Sequence, residues 1–259
     1  MAVISTAAVV LHTFPYGESS KIVRLATRDH GVLSAIAKGA QRAKSRFGAH
    51  LQLMSDGTAQ LYLKQNRELQ TLAAFDVEHQ RMGLTRDIGR YASASALAEL
   101  ILRFAPQEPQ PNLYALLTTQ LDALTDAEPS LVAQISLGAM WLVVSALGFT
   151  PSLDACAVDG CAIDSSGGVH FSVMDGGYLC PACAADRETS RLESADREWL
   201  QAFVGAAEGV DPPRDGSLPP RHAAAHRRLV SQFIRVHVAE GRELKALHFW
   251  ETLRWNATP

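Results

Sequence analysis

The chain has 259 residues, of which 47% are hydrophobic and 20% charged, with a net charge of −3. That make-up excludes a disordered polyelectrolyte and leaves room for one large domain or two small ones with an ample core. No global excess of positive charge announces a polyanionic partner.

The balance is uneven along the chain. Residues 1–80 carry nine Lys/Arg against six Asp/Glu, and residues 81–259 carry fifteen against twenty-one. Within residues 21–46 there are seven basic side chains and one acidic one, Asp29. A local field of that sign attracts phosphates whatever the net charge. The N-terminus is apolar without a basic leader, so a cytoplasmic protein is expected.

The first eighty residues predict β structure. Val3–Thr13 is rich in β-branched residues, Lys21–Thr27 and Val32–Ala37 flank the tight-turn sequence Asp29–His30–Gly31, and Leu51–Leu63 and Leu69–Val77 follow. Five short strands in about eighty residues fit a small barrel of the OB type, and an SH3-like barrel fits the same pattern. The remainder predicts helices over Asp87–Phe104, Leu113–Leu124, Leu131–Leu147, Ser194–Val204, His222–Glu240 and Leu244–Trp255, with a four-proline loop at Gly209–Pro220. The expected fold class is therefore α+β. A five-stranded OB-type barrel over residues 1–80 precedes a helical domain over 81–259. No residue from Pro129 to Leu153 is charged, and that length would span a bilayer. Gln134, Ser136 and Ser145 interrupt it and its flanks are acidic, so it reads as the central helix of a bundle, with no membrane span.

The chain has four cysteines in two close pairs: Cys156 and Cys161, then Cys180 and Cys183. Two short-range pairs bring four thiolates to one point, as tetrahedral zinc requires. Val169, Phe171 and Val173 alternate ahead of the turn Asp175–Gly176–Gly177, predicting a hairpin that delivers the second pair to the first. Four sulfurs close the site, so the zinc is expected to be structural, in a module inserted at about 153–187. Two disulfides would need an oxidising compartment. His170 alternates away from the apolar face and reads as a surface residue.

Lys38, Arg42, Lys44 and Arg46 form a dense cationic loop between two predicted strands. Such loops grip nucleic-acid backbones in OB barrels. Arg24, Lys64 and Arg67 would extend the track, with Phe47 or Tyr62 to stack under bases. A solvated loop has the same composition. Lys44–Ser45 is not the end of a phosphate loop, because the pattern needs glycine where Lys38 and Ala43 stand. A second basic group, Arg221, Arg227, Arg228, Arg235, Arg242, Lys245 and Arg254, lies near the C-terminus. It is either a solvated bundle exterior or a docking site for an acidic peptide tail.

Tyr16–Gly17–Glu18–Ser19–Ser20–Lys21–Ile22–Val23, Thr27–Arg28–Asp29–His30–Gly31, Ala37–Lys38–Gly39–Ala40 and Lys44–Ser45–Arg46 resemble, in that order, the N-terminal signature of the RecO family of bacterial recombination mediators. The likeness runs nearly the whole length. It implies an OB-fold domain binding single- and double-stranded DNA and an activity that anneals complementary strands. It also implies partnership with RecR and with the single-stranded-DNA-binding protein, so that RecA is loaded on coated gaps. Two other classes fit the residues less well. A zinc enzyme such as a deaminase would need a glutamate in H-x-E or C-x-E, which neither Cys156–Ala157–Val158 nor Cys161–Ala162–Ile163 supplies. A zinc-containing transcription regulator would need a groove-reading helix, and none stands out.

Overall fold

A computed structural model describes residues 2–48, 50–64, 67–164, 167–206 and 218–253. The chain divides into two compact units, Met1–Asp126 and Ala127–Pro259.

The first unit holds a closed barrel of five strands, β1 (Ala2–Tyr16), β2 (Ser20–Thr27), β3 (Gly31–Ala37), β4 (Asp56–Leu63) and β5 (Leu69–His79), in the order β1-β2-β3-β5-β4. The long β1 makes closure possible. Its first half pairs with β4 and its second half with β2, with a bulge between Val10 and His12 where it turns. β3 and β5 close the barrel in parallel, over Ser34–Ile36 alone. The period-two pattern puts Ala8, Val10, Val23, Leu25, Ala59, Leu61 and Leu72 inside. Gly31, with φ +66°, starts β3 where a Cβ would lie 2.6 Å from the Gln107 carbonyl oxygen, so only glycine fits both the turn and the approach.

The predicted fourth strand begins later than its sequence pattern suggests. Residues 51–55 are turns, Met54 takes φ 65°, and Leu51 and Met54 are buried. The apolar run at its start fills the core instead of joining the ladder.

Helices α1 (Ile88–Phe104) and α2 (Pro111–Asp126) complete this unit. Asp87 caps α1 by accepting from the Arg90 backbone N–H at 2.9 Å. Arg90 in turn donates to the Leu124 and Thr125 carbonyls, closing the free end of α2. Arg81 carries the junction between barrel and helices. Its side chain is 2% exposed and bonds Asp56 at 2.9 Å, the Met54 carbonyl at 2.9 Å and Asp122 at 2.7 Å.

The second unit is a bundle of α3 (Val132–Ala146), α5 (Ser194–Gly205), α6 (Pro220–Phe233) and α7 (Lys245–Thr252). It carries a three-stranded sheet of β6 (Val169–Ser172), β7 (Gly177–Leu179) and β8 (Ser190–Leu192), in the order β7-β6-β8, and the single turn α4 (Pro181–Ala184). The uncharged segment is α3. Met140, Trp141 and Val143 are fully buried, and the Ser136 hydroxyl, also buried, accepts from Trp250 Nε1 at 2.7 Å. α3 with its preceding turn is long and apolar enough to cross a membrane, and 44% of that stretch is buried inside the protein. The helix predicted over His222–Glu240 changes at Ile234–Val238 into a wider π-helical turn. That turn presents His237, whose Nε2 donates to the Val173 carbonyl at 2.6 Å and ties the β6–β7 hairpin to the bundle. Most of the predicted four-proline loop lies outside the described residues.

Replacing Arg81 with Ala would leave the Asp56 carboxylate buried without its cation. The expected loss is about 3 kcal/mol, at the low end for a broken buried pair because Asp122 is half exposed. Equilibrium unfolding in urea measures it, and an unchanged midpoint would show that the guanidinium does not hold the barrel to α2.

Candidate nucleic-acid interface and metal centre

Residues 38–50 form a spiral of successive turns rather than an open loop. Backbone N–H groups of Arg42, Ser45, Gly48 and His50 each donate to a carbonyl three residues back. Ala40, Phe47 and Leu51 belong to the barrel core, and Phe47 is 1% exposed. The segment is thus a plug, pinned from the side by Gln41, which donates to the Ser20 carbonyl at 2.6 Å and to Ser19 at 2.9 Å. The same geometry turns Lys38, Arg42, Lys44 and Arg46 outward, and all four are exposed. Among the described residues none of them is in an ion pair. Arg28, by contrast, is matched by Asp29 at 3.0 Å, and that guanidinium holds the Asp29 carboxyl below the usual carboxylate range.

Phe47 does not offer a stacking face. Its ring lies in the core with the Arg46 guanidinium 5.1 Å above it, because an aromatic between cations is the one side chain there able to fill the barrel mouth. Exposed aromatics occur elsewhere, on the outer face of the sheet. The register sets Phe14 opposite Ile22, Ile22 opposite Ile36, Ile36 opposite Thr71, Thr71 opposite Tyr62, and Tyr62 opposite Val3. Directly opposed residues share a face, so this row, apolar except for Thr71, winds around the outer wall of the closed barrel through all five strands. Phe14 is 40% and Tyr16 50% exposed, while Tyr62 is half-buried. One row along, Arg24 stands between His12 and Ser34, with its Nε lacking a partner among the described residues.

The seven cations proposed from sequence therefore fall into separate places. Lys38, Arg42, Lys44 and Arg46 share the plug at the end of β3. Arg24 lies in the outer face. Exposed Lys64 and Arg67 belong to the β4–β5 hairpin, whose β5 end at Leu69 is level with Ser34 in the middle of β3. Phe14 and Tyr16 were missed from the sequence. Their signal was the alternation His12–Phe14–Tyr16 in a strand whose other face is buried.

In the second unit the β6–β7 hairpin brings the two cysteine pairs together. Single sulfur or oxygen atoms of Cys156, Asp159, Cys180 and Cys183 all lie within 4.8 Å of one another. Cys180 caps α4, its sulfur accepting from the Cys183 N–H at 3.4 Å. Asp159 was not anticipated. Its Oδ2 lies 3.3 Å from the Cys183 sulfur and 3.5 Å from that of Cys180, and its Oδ1 accepts from the Cys161 N–H at 3.0 Å. Cys161 is exposed and borders this set, against Asp159 and Cys180. His170 bonds Thr189 at 3.1 Å and takes no part.

The electrostatics describe a site with more potential anions than it can hold unaided. Asp159 is well below the usual carboxylate range, first because the Cys161 N–H bonds it and then through the thiols of Cys156, Cys161 and Cys183. Its charge, bonded by their S–H groups, pushes the Cys161 and Cys183 thiols up to about 12. Burial raises Cys156, but backbone bonds from Asp159, Cys180 and Val158 outweigh it and hold it low. Soft thiolates beside a carboxylate, crowded at this spacing and without a disulfide, fit a divalent cation of borderline softness.

The C-terminal basic group is not a single patch. Arg227 is buried and donates to the Leu253 carbonyl at 3.0 Å, and burial lowers it to about 10. Arg235 pairs with Glu251 and Arg221 donates to His222. Arg228 and Arg242 are exposed, and Arg254 lies outside the described residues.

Residues 1–81 match the family model described as Recombination protein O N terminal, and residues 85–247 match Recombination protein O C terminal. Proteins named DNA repair protein RecO align along almost the entire chain. That of Symbiobacterium thermophilum is 33% identical over 98% of this chain and 99% of its own length. Those of Anaeromyxobacter sp. strain Fw109-5 and Anaeromyxobacter dehalogenans strain 2CP-1 are 30% and 35% identical over 93% and 95% of this chain, and 93% and 94% of their own lengths. With a closed five-stranded barrel, a helical bundle and a Cys/Asp cluster that could hold a metal ion, and with both family models matched along it, the chain belongs to the RecO family of DNA repair proteins.

Proposed function

We propose that this protein is a non-enzymatic mediator of DNA repair and homologous recombination. It binds single- and double-stranded DNA through its barrel and anneals complementary strands without nucleotide. With RecR it helps to load RecA on DNA coated by the single-stranded-DNA-binding protein, in the cytoplasm at the nucleoid. The observation that carries this reading is the plug: four exposed cations without acidic partners, fixed by buried Phe47 at the rim of a barrel in a RecO-family chain. A preorganised cationic rim screens repulsion between two polyanions and raises their local concentration, which is what annealing needs.

Replacing Arg42, Lys44 and Arg46 together by Ala is expected to lower DNA affinity at low salt and to reduce the log–log salt slope by about two to three units. An unchanged slope would show that the plug does not meet phosphates.

Zinc is the metal we assign to the cysteine module, with Cys156, Cys180 and Cys183 as ligands and Cys161 completing the set, and Asp159 adjoining it. When bound, the ion supplies a crosslink between residues 156–161 and α4, not a reactive water. One equivalent of zinc per chain is expected, with Zn–S distances near about 2.3 Å by X-ray absorption. Cys180→Ser should lower both the zinc content and the unfolding midpoint, since binding and folding of such a site are coupled. Less than half an equivalent in protein prepared without chelator, or iron in its place, would overturn the assignment.

The bundle would supply the partner surface. For the acidic tail of the single-strand binding protein, Arg228 and Arg242 are the residues to test, since Arg227 is committed to the Leu253 carbonyl. The wild-type protein should anneal both naked strands and strands coated with that protein. Arg228→Glu with Arg242→Glu should slow only the coated reaction. Failure to anneal naked strands at low salt would sink the functional reading itself.

A further inference from the structure

The π-helical turn at Ile234–Val238 has no cause in its own residues, which include neither proline nor glycine. Its widened ring is closed by the Ala239 N–H, which donates to the Ile234 carbonyl five residues back at 2.8 Å. The chain then passes through two consecutive left-handed residues, Glu240 with φ 49° and Gly241 with φ 80°. A π turn and a left-handed glutamate persist only where neighbouring contacts offset their cost. Here the contact is His237. Its Nε2 donates to the Val173 carbonyl at 2.6 Å and its ring centre lies 4.4 Å from that of Phe233. Gly176 packs against it, so that a Cβ there would lie 3.5 Å from His237 Cε1. Val173 and Gly176 form the tip of the β6–β7 hairpin, and its far end carries the cysteines. β7 runs almost directly into Cys180, and the Tyr178 carbonyl accepts from the Ala157 N–H, beside Cys156, at 2.8 Å. Arg187 makes a second connection. It donates to the Cys183 carbonyl at 2.8 Å and pairs at 3.5 Å with Asp175 of the hairpin tip. A continuous run of bonds thus leads from the sulfur cluster to the hairpin tip, and from the tip to the π turn.

Resting on the reading that the cysteine module holds zinc, we propose that the π turn is a two-state element set by metal occupancy, with His237 as the positioning residue between them. With the cysteines drawn together, the hairpin tip holds the Val173 carbonyl where a widened turn places His237. When the module opens, that acceptor moves away. The segment then closes as a regular α-helical turn, and the Ile234 carbonyl accepts from Val238 in place of Ala239. In a regular turn the same residues sweep further around the axis, so the side chains that follow are displaced. The displacement reaches α7, because Arg235 pairs with Glu251 there. It also reaches Arg242, whose N–H donates to the Ala239 carbonyl at 2.9 Å. Occupancy of the module is thereby felt at the bundle surface, where Val236 is 36% and Phe249 42% exposed. The coupling is reciprocal: whatever metal binding contributes to the π turn, the π turn returns to metal affinity.

The test compares zinc-loaded full-length protein with the same protein stripped by a chelator under reducing conditions, by amide hydrogen exchange. Residues 234–242 are expected to lose protection by about fivefold or more on stripping, while residues 223–232 of α6 keep theirs. A second measurement follows zinc release from the loaded protein to a chromogenic chelator. His237→Ala is expected to release zinc about fivefold faster or more. His237→Gln, whose amide N–H reaches the same carbonyl, should restore the wild-type rate. A residue that merely stabilised the bundle would not make exchange at 234–242 depend on zinc, nor zinc release depend on one side-chain N–H. Unchanged protection at 234–242 after metal removal, or equal release rates for wild type and His237→Ala, would overturn the coupling and leave the zinc assignment standing. Protein that takes up no metal would overturn both. Should stripping unfold the unit, seen as equal loss of protection across α3, α5 and α6, the loaded variants decide. Faster release from His237→Ala with rescue by His237→Gln then supports the coupling, and equal rates for all three proteins reject it.

Discussion

The insertion of Phe47 and Leu51 into the barrel is the constraint on which the first unit depends. β3 and β5 are bonded to each other only over Ser34–Ile36, so the parallel seam is too short to close the barrel by hydrogen bonds alone. Apolar side chains from the connection between β3 and β4 fill the space instead. Burying one phenylalanine is worth about 2–3 kcal/mol, comparable to what the few backbone bonds of the seam contribute net. The same burial decides where the cations go. A segment whose ring points inward must turn its neighbours outward, and in this sequence those neighbours are Arg42, Lys44 and Arg46. The positive rim is thus a consequence of barrel closure. Its backbone is already ordered before any ligand arrives, which reduces the ordering cost of binding.

In the rest of the first unit, buried arginines add directional bonds to an apolar core that includes Leu97, Leu100, Leu117 and Leu121. Arg81 sits in the left-handed region with φ 46°, a conformation a long side chain adopts only when its surroundings compensate. Its bonds to Asp56 and the Met54 carbonyl hold the strand that follows the plug, and its bond to Asp122 reaches α2. Arg90 does the corresponding task between the start of α1 and the end of α2. Each guanidinium satisfies several acceptors from a planar fork, which lysine cannot do.

What was legible in the sequence was local. Strand alternation and turn residues placed five strands, and helical spacing, the proline stops and Asp87 placed the helices. The paired cysteines pointed to the cluster of Cys156, Cys180 and Cys183, which could hold a metal ion. What escaped was settled at long range. Nothing near Phe47 distinguishes a ring that stacks on bases from one that fills a core assembled from strands between Ala8 and Phe75. Arg227 looks like its exposed neighbour Arg228 until α6 takes a definite face and Leu253 arrives as its partner. Asp159 lay in plain view inside the first cysteine pair. Its role depends on the hairpin bringing Cys180 and Cys183 against it. The π-helical turn at Ile234–Val238 has no signature in periodicity, because its cause is the bond from His237 to a carbonyl sixty-four residues earlier.

The two units solve the problem of holding a site rigid in different ways. In the barrel, the exposed cations sit on the surface of a closed hydrophobic core, and buried neighbours such as Phe47 carry the structural task. In the second unit, the small sheet has only three short strands, and its contact with the bundle runs through single residues such as Phe171 against Phe233 and His237 against Val173. So small a sheet has too little core to stand alone, so a metal crosslink there is worth most as scaffold. In the metal-free cluster the Cys161 and Cys183 thiols bond the Asp159 carboxylate, so a cation bound by those sulfurs would have to release their protons.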